Sequence, residues 1–372
     1  MGKTILKYIW RTFLVFLTLI LLLLILIFGA VTVISKGPSD TAKKLFVNTV
    51  KQTSAAGFLA DIYFSEEEIE AYMNEGEEVP DTEYSPESLD MVNIPVSEPE
   101  IPAAAVSENE AEGVLQEAVS AEEEQKISAD INPAAINTDD DGDGIEYVKI
   151  VEEGFNGDLL IVYDPSRIEV YSIKSFAETG YGKKITDIIE ETGAVAAINA
   201  GGFYDPDGHG HGGMPLGPVI QNGQLVSNFA SDWYTLIGFT KEHKLMAGNM
   251  GAYDAIAAGM YEGITFGPVL VSNGKAVDFG ATRGGLNPRS AIGQRVDGAV
   301  LLLTINGRQP GSLGATYQDT ADLLVKYGAV TAANLDGGSS SRLFYKGEQL
   351  NKSSSLLGMR PVPNAIIVKN AG

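Results

Sequence analysis

The sequence predicts an α+β protein: a mixed, largely hairpin-built sheet with a few flanking helices and an internal helix-strand-loop repeat, preceded by one transmembrane helix. Three observations predict it. Short apolar or alternating runs crowd residues 145–372, Asn-Gly pairs at 222–223 and 273–274 separate some of them, and a long uncharged stretch stands near the N-terminus. The 372 residues carry 26 Lys+Arg against 49 Asp+Glu, a formal charge of −23. That balance excludes a protein that neutralises nucleic-acid phosphates. With no cysteine, disulfide frameworks, thiolate metal sites and Cys nucleophiles are excluded as well.

Residues 1–11 form a short head carrying Lys3, Lys7 and Arg11, which we expect to face the cytoplasm. Residues 12–35 hold no charge and are rich in Leu, Ile, Val and Phe, and about 20 such residues cross a bilayer core. The stretch is longer than the roughly 7–15 apolar residues of a cleaved signal peptide, and Gly29-Ala30-Val31 makes a poor cleavage site. We therefore expect a retained single-pass anchor in the cell membrane. Lys36, Lys43 and Lys44 follow the span, so the flanking charges nearly balance. The short head and long remainder then point to an extracellular bulk.

Residues 36–74 read as a membrane-proximal helical segment. Pro38-Ser39 opens an amphipathic stretch, and Ser65 with Glu68 makes a capping box. Residues 75–144 read as an acidic disordered linker, because acids and prolines dominate and Tyr84 is the lone aromatic between Glu75 and Asn137. At its end Asp139, Asp141 and Asp143 with Gly144 imitate the first half of a calcium loop. The closing Glu position is Ile150, so the half motif reads first as linker, with calcium as the alternative and no other cofactor expected.

Residues 145–372 form the globular domain. Runs such as 159–163, 168–171, 301–305 and 365–368 read as strands. Asn222-Gly223 and Asn273-Gly274 sit between apolar pairs and predict tight hairpins, whose central residues need positive φ. Helical spacing over 184–192 and 317–327 stops in each case at a glycine, Gly193 and Gly328. After each comes a similar small-residue strand, ending in Asn199-Ala200-Gly201-Gly202 and in Asn334-Leu335-Asp336-Gly337-Gly338. We read a repeated unit whose two loops meet at one ligand crevice, with chance similarity of small-residue strands as the alternative.

The loop at 334–340 supplies an amide, a carboxylate, two glycines and the hydroxyls of Ser339 and Ser340 directly after an apolar strand. Glycine lets backbone N–H groups turn toward an anion, and hydroxyls add uncharged donors. Asn287-Pro288-Arg289-Ser290, Asn306-Gly307-Arg308 and Arg360 place three arginines near strand ends, where a guanidinium grips phosphate bidentately. Other chemistries find less support. His209-Gly210-His211 with Asp205 or Asp207 offers metal-ligand types, but no His-Glu-x-x-His, Gly-x-Ser-x-Gly or Walker-type loop occurs.

The strings 198–206 (Ile-Asn-Ala-Gly-Gly-Phe-Tyr-Asp-Pro), 287–293 (Asn-Pro-Arg-Ser-Ala-Ile-Gly), 334–340 and 360–364 (Arg-Pro-Val-Pro-Asn) together resemble the phosphodiester glycosidase family. The anchor extends the resemblance to membrane-bound members from Gram-positive bacteria linked to exopolysaccharide. The resemblance implies a hydrolase that removes a sugar, such as N-acetylglucosamine, from a sugar-1-phosphodiester in envelope material. It places Asp336, Arg289 and Asn306 at catalytic positions, the last where the family carries Asp. It places Asn199, Gly201, Gly202, Phe203, Asn287, Ser290, Arg308, Asn334, Gly337, Gly338, Ser339, Ser340 and Arg360 around the substrate. On this reading Asp336 activates water or stabilises an oxocarbenium ion, Arg289 with the serines and loop N–H groups holds phosphate, and Asn199 and Asn334 bind sugar hydroxyls or orient Asp336. Expected partners are thus a carbohydrate phosphodiester and a membrane, with no nucleic acid and no metal in the catalytic site. A non-catalytic binder of envelope glycopolymers and a P–O-cleaving phosphodiesterase are the alternatives.

Overall fold

The computed structural model describes residues 2–53, 56–74, 82–94, 139, 141–206, 210–227, 234–355 and 358–371. They fall into two compact units.

The first unit comprises Met1–Glu78 with Phe279–Leu286. Helix α1 (Gly2–Lys36) contains the stretch Lys7–Lys36, which includes an 18-residue window of mean hydropathy 3.3 and is long and apolar enough to cross a membrane. Ser39 caps α2 (Asp40–Lys51), its Oγ accepting the Ala42 N–H at 3.2 Å. After α3 (Phe58–Asp61), a reciprocal box starts α4 (Glu66–Asn74): the Glu68 carboxylate accepts the Ser65 N–H at 2.8 Å, and Ser65 Oγ accepts the Glu68 N–H at 3.2 Å. Val47, Val50, Ala60, Phe64 and Ile69 form a small core. Residues 279–286 join this unit through the Leu286 N–H, which donates to Thr49 Oγ1 at 2.9 Å.

The second unit holds three antiparallel sheets. The largest contains β1 (Ile145–Glu152), β2 (Phe155–Val162), β10 (Val269–Ser272), β11 (Lys275–Ala276), β12 (Arg289–Arg295), β13 (Val300–Ile305) and β14 (Ala329–Leu335), in the order β1-β2-β13-β12-β14-β10-β11. A second runs β16-β15-β4-β17-β3, from β3 (Ile168–Ser172), β4 (Ala196–Asn199), β15 (Leu343–Tyr345), β16 (Glu348–Gln349) and β17 (Asn364–Val368). The third runs β6-β5-β9-β7-β8, from β5 (Val219–Gln221), β6 (Gln224–Ser227), β7 (Tyr234–Thr240), β8 (Leu245–Met250) and β9 (Met260–Thr265). Strands buried on both faces read as unbroken apolar runs, and β13 and β14 are buried along their whole length. Leu160, Ile198, Ile264, Ile292, Leu335 and Ile366 bring all three sheets into one core. The two Asn-Gly pairs expected to form hairpins adopt positive φ at both residues, 52° and 69° at Asn222-Gly223, 50° and 72° at Asn273-Gly274.

The flanking helices are α5 (Glu87–Asp90), α6 (Ile185–Thr192), α7 (Ala252–Ala257) and α8 (Tyr317–Lys326). Gly193 and Gly328 follow α6 and α8 in the left-handed region at φ 67° and 87°. The two halves of the predicted repeat thus exist as α6-β4 and α8-β14, lodged in different sheets.

The linker reading needs a correction. Residues 75–81, 95–138 and 140 lie outside the described residues, but residues 82–94 lie along the second unit. The Asn249 N–H donates to the Thr82 carbonyl at 2.9 Å, Lys244 Nζ to that of Leu89 at 2.8 Å, and the Asn93 N–H to that of Val296 at 2.7 Å. Tyr84 and Leu89 pack on Ile220, Leu236, Met246 and Met260. Composition averaged over seventy residues conceals a few apolar side chains that find a groove, here opened by Gly248, where a Cβ would stand 2.5 Å from the Tyr84 nitrogen. Gly248→Val is expected to expel this strap at a cost of about 1–3 kcal/mol. A lowered melting temperature, with new cleavage after Glu83 and Glu87 by a glutamate-specific protease, checks it.

At the entry to β1, the carboxylates of Asp139, Asp141 and Asp143 lie within 4.8 Å of one another. Asp139 accepts the N–H groups of Gly142 and Gly144, and Lys346 pairs with Asp141 and with Asp143, the latter at 3.1 Å. An ammonium group already supplies the positive charge that this cluster attracts.

Candidate active site

The carboxyl ends of β4 and β14 meet. The Asp336 N–H donates to the Ala200 carbonyl at 2.9 Å, and Asn199 Nδ2 to the Asp336 carbonyl at 2.6 Å. Asn199 is fully buried, and its Oδ1 accepts Ser290 Oγ from β12 and the Arg342 N–H ahead of β15, both at 2.9 Å. One amide thereby ties two sheets together beneath the Asp336 loop. Of the two roles expected of Asn199, these contacts fit orienting Asp336 rather than binding sugar, and Ser290, expected at the substrate, is instead committed inside the protein.

Part of Asp336 reaches the surface, but its carboxyl group is enclosed. Burial pushes its pKa up to about 6, against stabilising hydrogen bonds from the Ser340 side chain and the Gly337 N–H. Arg360 attracts the charged form and Asp205 opposes it. Arg360 in turn is held by Asp205, Nη2 to Oδ1 at 2.6 Å, and by the Gly210 carbonyl at 3.3 Å, and its guanidinium lies 4.8 Å from the Phe203 ring centre. Phe203, itself buried, is therefore the floor under Arg360. On the far side of the turn, Gly338 sits at φ 61° and donates its N–H to the Pro288 carbonyl at 2.9 Å. A Cβ there would be 3.6 Å from the Arg308 guanidinium, which donates to Asn287 Oδ1 at 2.7 Å.

Asp336, Ser340, Gly337, Gly338, Arg308, Asn287 and Arg360 are thus brought together, with Ser339 on the same turn offering its carbonyl to Arg342 at 2.9 Å. Other expected residues are turned into the protein. Arg289 stands beside Arg308, whose pKa is lowered by burial and by the Arg289 charge, but it is buried toward α8, where Nε donates to the Ala315 carbonyl at 2.9 Å and the guanidinium lies 4.3 Å from the Tyr317 ring centre. Strand alternation explains the miss: Ser290 points toward Asn199, so its neighbour Arg289 points to the opposite face. Asn306 is corrected as well. It is buried, with Nδ2 on Asn156 Oδ1 and Oδ1 accepting the Lys352 N–H, both at 2.7 Å, so it clamps two loops. Asn334 donates to the Gly267 carbonyl at 3.0 Å, and its Oδ1 has no hydrogen-bond partner among the described residues. Gly201 and Gly202 are required by close packing rather than by a ligand, since Cβ atoms there would stand 2.9 Å from the Thr265 carbonyl and 2.8 Å from the Phe266 ring.

Sequence reasoning missed Arg342, which braces the loop by donating to the carbonyls of Ser339, Ser341 and Gly358. Its signal was a lone arginine directly after the serine run. Asp205, weighed only as a metal ligand, is the ion-pair partner of Arg360. His211 stacks on Tyr181, and Asp207 and His209 lie outside the described residues.

These contacts fix the sign of two variants. Removing the attraction with Arg360→Gln is expected to lift the Asp336 pKa above 6, and removing the repulsion with Asp205→Asn to lower it. If ionised Asp336 is the working form, the acid limb of the rate profile moves up in the first and down in the second. Rates measured from pH 4 to 8 check both.

Residues 192–369 match the phosphodiester glycosidase family model. The chain is 30% identical over 215 residues to the SPbeta prophage-derived uncharacterized protein YomE of Bacillus subtilis strain 168, across 55% of this chain and 31% of that protein. The matched region therefore spans about a third of that relative. Among solved structures, the zebrafish N-acetylglucosamine-1-phosphodiester alpha-N-acetylglucosaminidase catalytic domain, auto-inhibited by its pro-peptide, superposes with a TM-score of 0.51 at 19% identity, covering 61% of this chain and 82% of that one. That likeness shows a shared fold. Over residues 192–369 the carboxy-terminal domain of this chain, with Asp336 at the junction of its two loops, thus matches the phosphodiester glycosidase family.

Proposed function

We propose that this chain hydrolyses the anomeric C–O bond of a sugar-1-phosphodiester, releasing free sugar and a phosphate monoester, in envelope or exopolysaccharide material. On this reading α1 is retained as a membrane anchor and the catalytic domain is extracellular. The observation that carries the reading is Asp336, one enclosed carboxyl group with a pKa near 6 between Arg360 and the Gly337-Gly338 turn. A phosphate monoester leaves far more readily than an alkoxide, so the usual pair of carboxyl groups reduces to one base or nucleophile with cationic support. Asp336 takes the proton of the attacking water as that oxygen bonds the anomeric carbon. The C–O electron pair leaves with the phosphate, and the proton then passes to solvent. Arg308 and the turn stand where the departing phosphate gathers charge.

Turnover of N-acetylglucosamine-1-(methyl phosphate) by the full chain in ¹⁸O-water tests the reaction. The label is expected in the sugar hydroxyl. Label in the phosphate establishes P–O cleavage, and binding without turnover establishes a glycopolymer-binding module.

A further inference from the structure

We propose that the exposed ring pair Tyr181–His211 is the subsite that stacks against the pyranose ring of the released sugar. The proposal rests on the hydrolytic reading above and adds to it the surface that recognises the sugar. Tyr181 is 70% exposed, and its ring lies 4.6 Å from that of His211 at an interplanar angle of 26°. A stacked ring pair left this open to solvent offers a flat face for a ligand ring.

The platform is rigid. The Gly182 N–H donates to the His211 carbonyl at 2.8 Å, the Ala177 N–H to that of Gly213 at 2.9 Å, and the Tyr204 N–H to that of Met214 at 2.8 Å. Gly182 allows this backbone-to-backbone approach, since a Cβ there would stand 2.5 Å from the Gly212 carbonyl oxygen. It also adjoins the carboxylate. Gly210, next to His211, donates its N–H to Asp205 and accepts from Arg360, the two charged groups that act on Asp336. The backbone that carries His211 therefore adjoins Arg360, and the Arg308 guanidinium adjoins Gly338. The bond cleaved joins an uncharged ring to a charged phosphate, and the site offers the matching division. A pyranose presents a face of C–H bonds, which suits the electron-rich face of an aromatic ring, whereas phosphate needs donors and positive charge.

The test uses the full chain with N-acetylglucosamine-1-(methyl phosphate), and with N-acetylglucosamine and methyl phosphate as separate product inhibitors. Tyr181→Ala and His211→Ala are expected to raise KM roughly three- to tenfold, to leave kcat within about twofold, and to weaken inhibition by the sugar by the same factor as KM. Inhibition by methyl phosphate should not change, Tyr181→Phe should behave as wild type, and Tyr253→Ala, 75% exposed on α7, should have no effect. Unchanged sugar inhibition in both alanine variants overturns the proposal. Equal weakening of sugar and phosphate inhibition also overturns it, since that reports a loosened loop. A wild-type chain that releases no sugar fails the hydrolytic reading itself, and the two failures are therefore distinct.

Discussion

Asp336→Asn is expected to lower kcat by roughly 10²–10⁴-fold while making the folded protein more stable at neutral pH. The two effects have one cause. The Asp336 pKa rises from an ordinary 3.8 to about 6 because burial disfavours its charged form. A carboxyl with a raised folded-state pKa stabilises the fold when protonated, fully so below pH 3.8, and that stability is lost as pH rises through 6. At pH 7 the wild-type chain therefore carries an ionisation cost of up to about 3 kcal/mol, reduced by whatever solvent reaches the group. Asparagine keeps the shape and removes that cost. Chemical unfolding should show the variant more stable at pH 7 and the difference vanishing near pH 4. A group held at such a cost is the pattern of a site selected for function rather than for stability.

Asn199→Ala is expected to be the most destabilising substitution around the site. The side chain satisfies three partners in the interior: the Asp336 carbonyl, the Ser290 hydroxyl and the Arg342 N–H. Truncation leaves all three unpaired, at about 1–3 kcal/mol each. Even partial relaxation gives a loss of roughly 3–6 kcal/mol, a large fraction of a typical domain's stability. Ser290→Ala removes a single bond and should cost about 1 kcal/mol. Denaturant unfolding separates the pair, and residual activity in Ser290→Ala but none in Asn199→Ala supports the hub. Equal, small losses in both would show that the Asp336 loop is held by other contacts.

Much of this was legible in the sequence because the signals are local. Asn-Gly pairs dictate hairpin turns, Gly193 and Gly328 end helices, and Ser65 with Glu68 starts one. The convergence of the loops at 199–202 and 334–338 followed from their placement after buried strands. Side-chain direction was less legible. Arg289 and Ser290 are neighbours in a motif, yet a strand sends them to opposite faces, so Arg308, beside the Gly338 turn, takes the place expected of Arg289. Asn306 matched a catalytic position by alignment of motifs, but its partners Asn156 and Lys352 come from segments 150 and 46 residues away. Nothing near it in sequence announces them. The strap at 82–94 was lost for the same reason, since its groove is built from strands that follow it by more than a hundred residues.

The central claim is that one enclosed carboxyl group, Asp336, drives the reaction in its ionised form. The pH dependence of kcat/KM for a sugar-1-phosphodiester tests it most directly. The account predicts an acid limb near pH 6 that falls about tenfold per pH unit below it, displaced upward by Arg360→Gln and absent from any residual activity of Asp336→Asn. A wild-type profile that stays flat from pH 4 to 7, or the same limb persisting in Asp336→Asn, would contradict it.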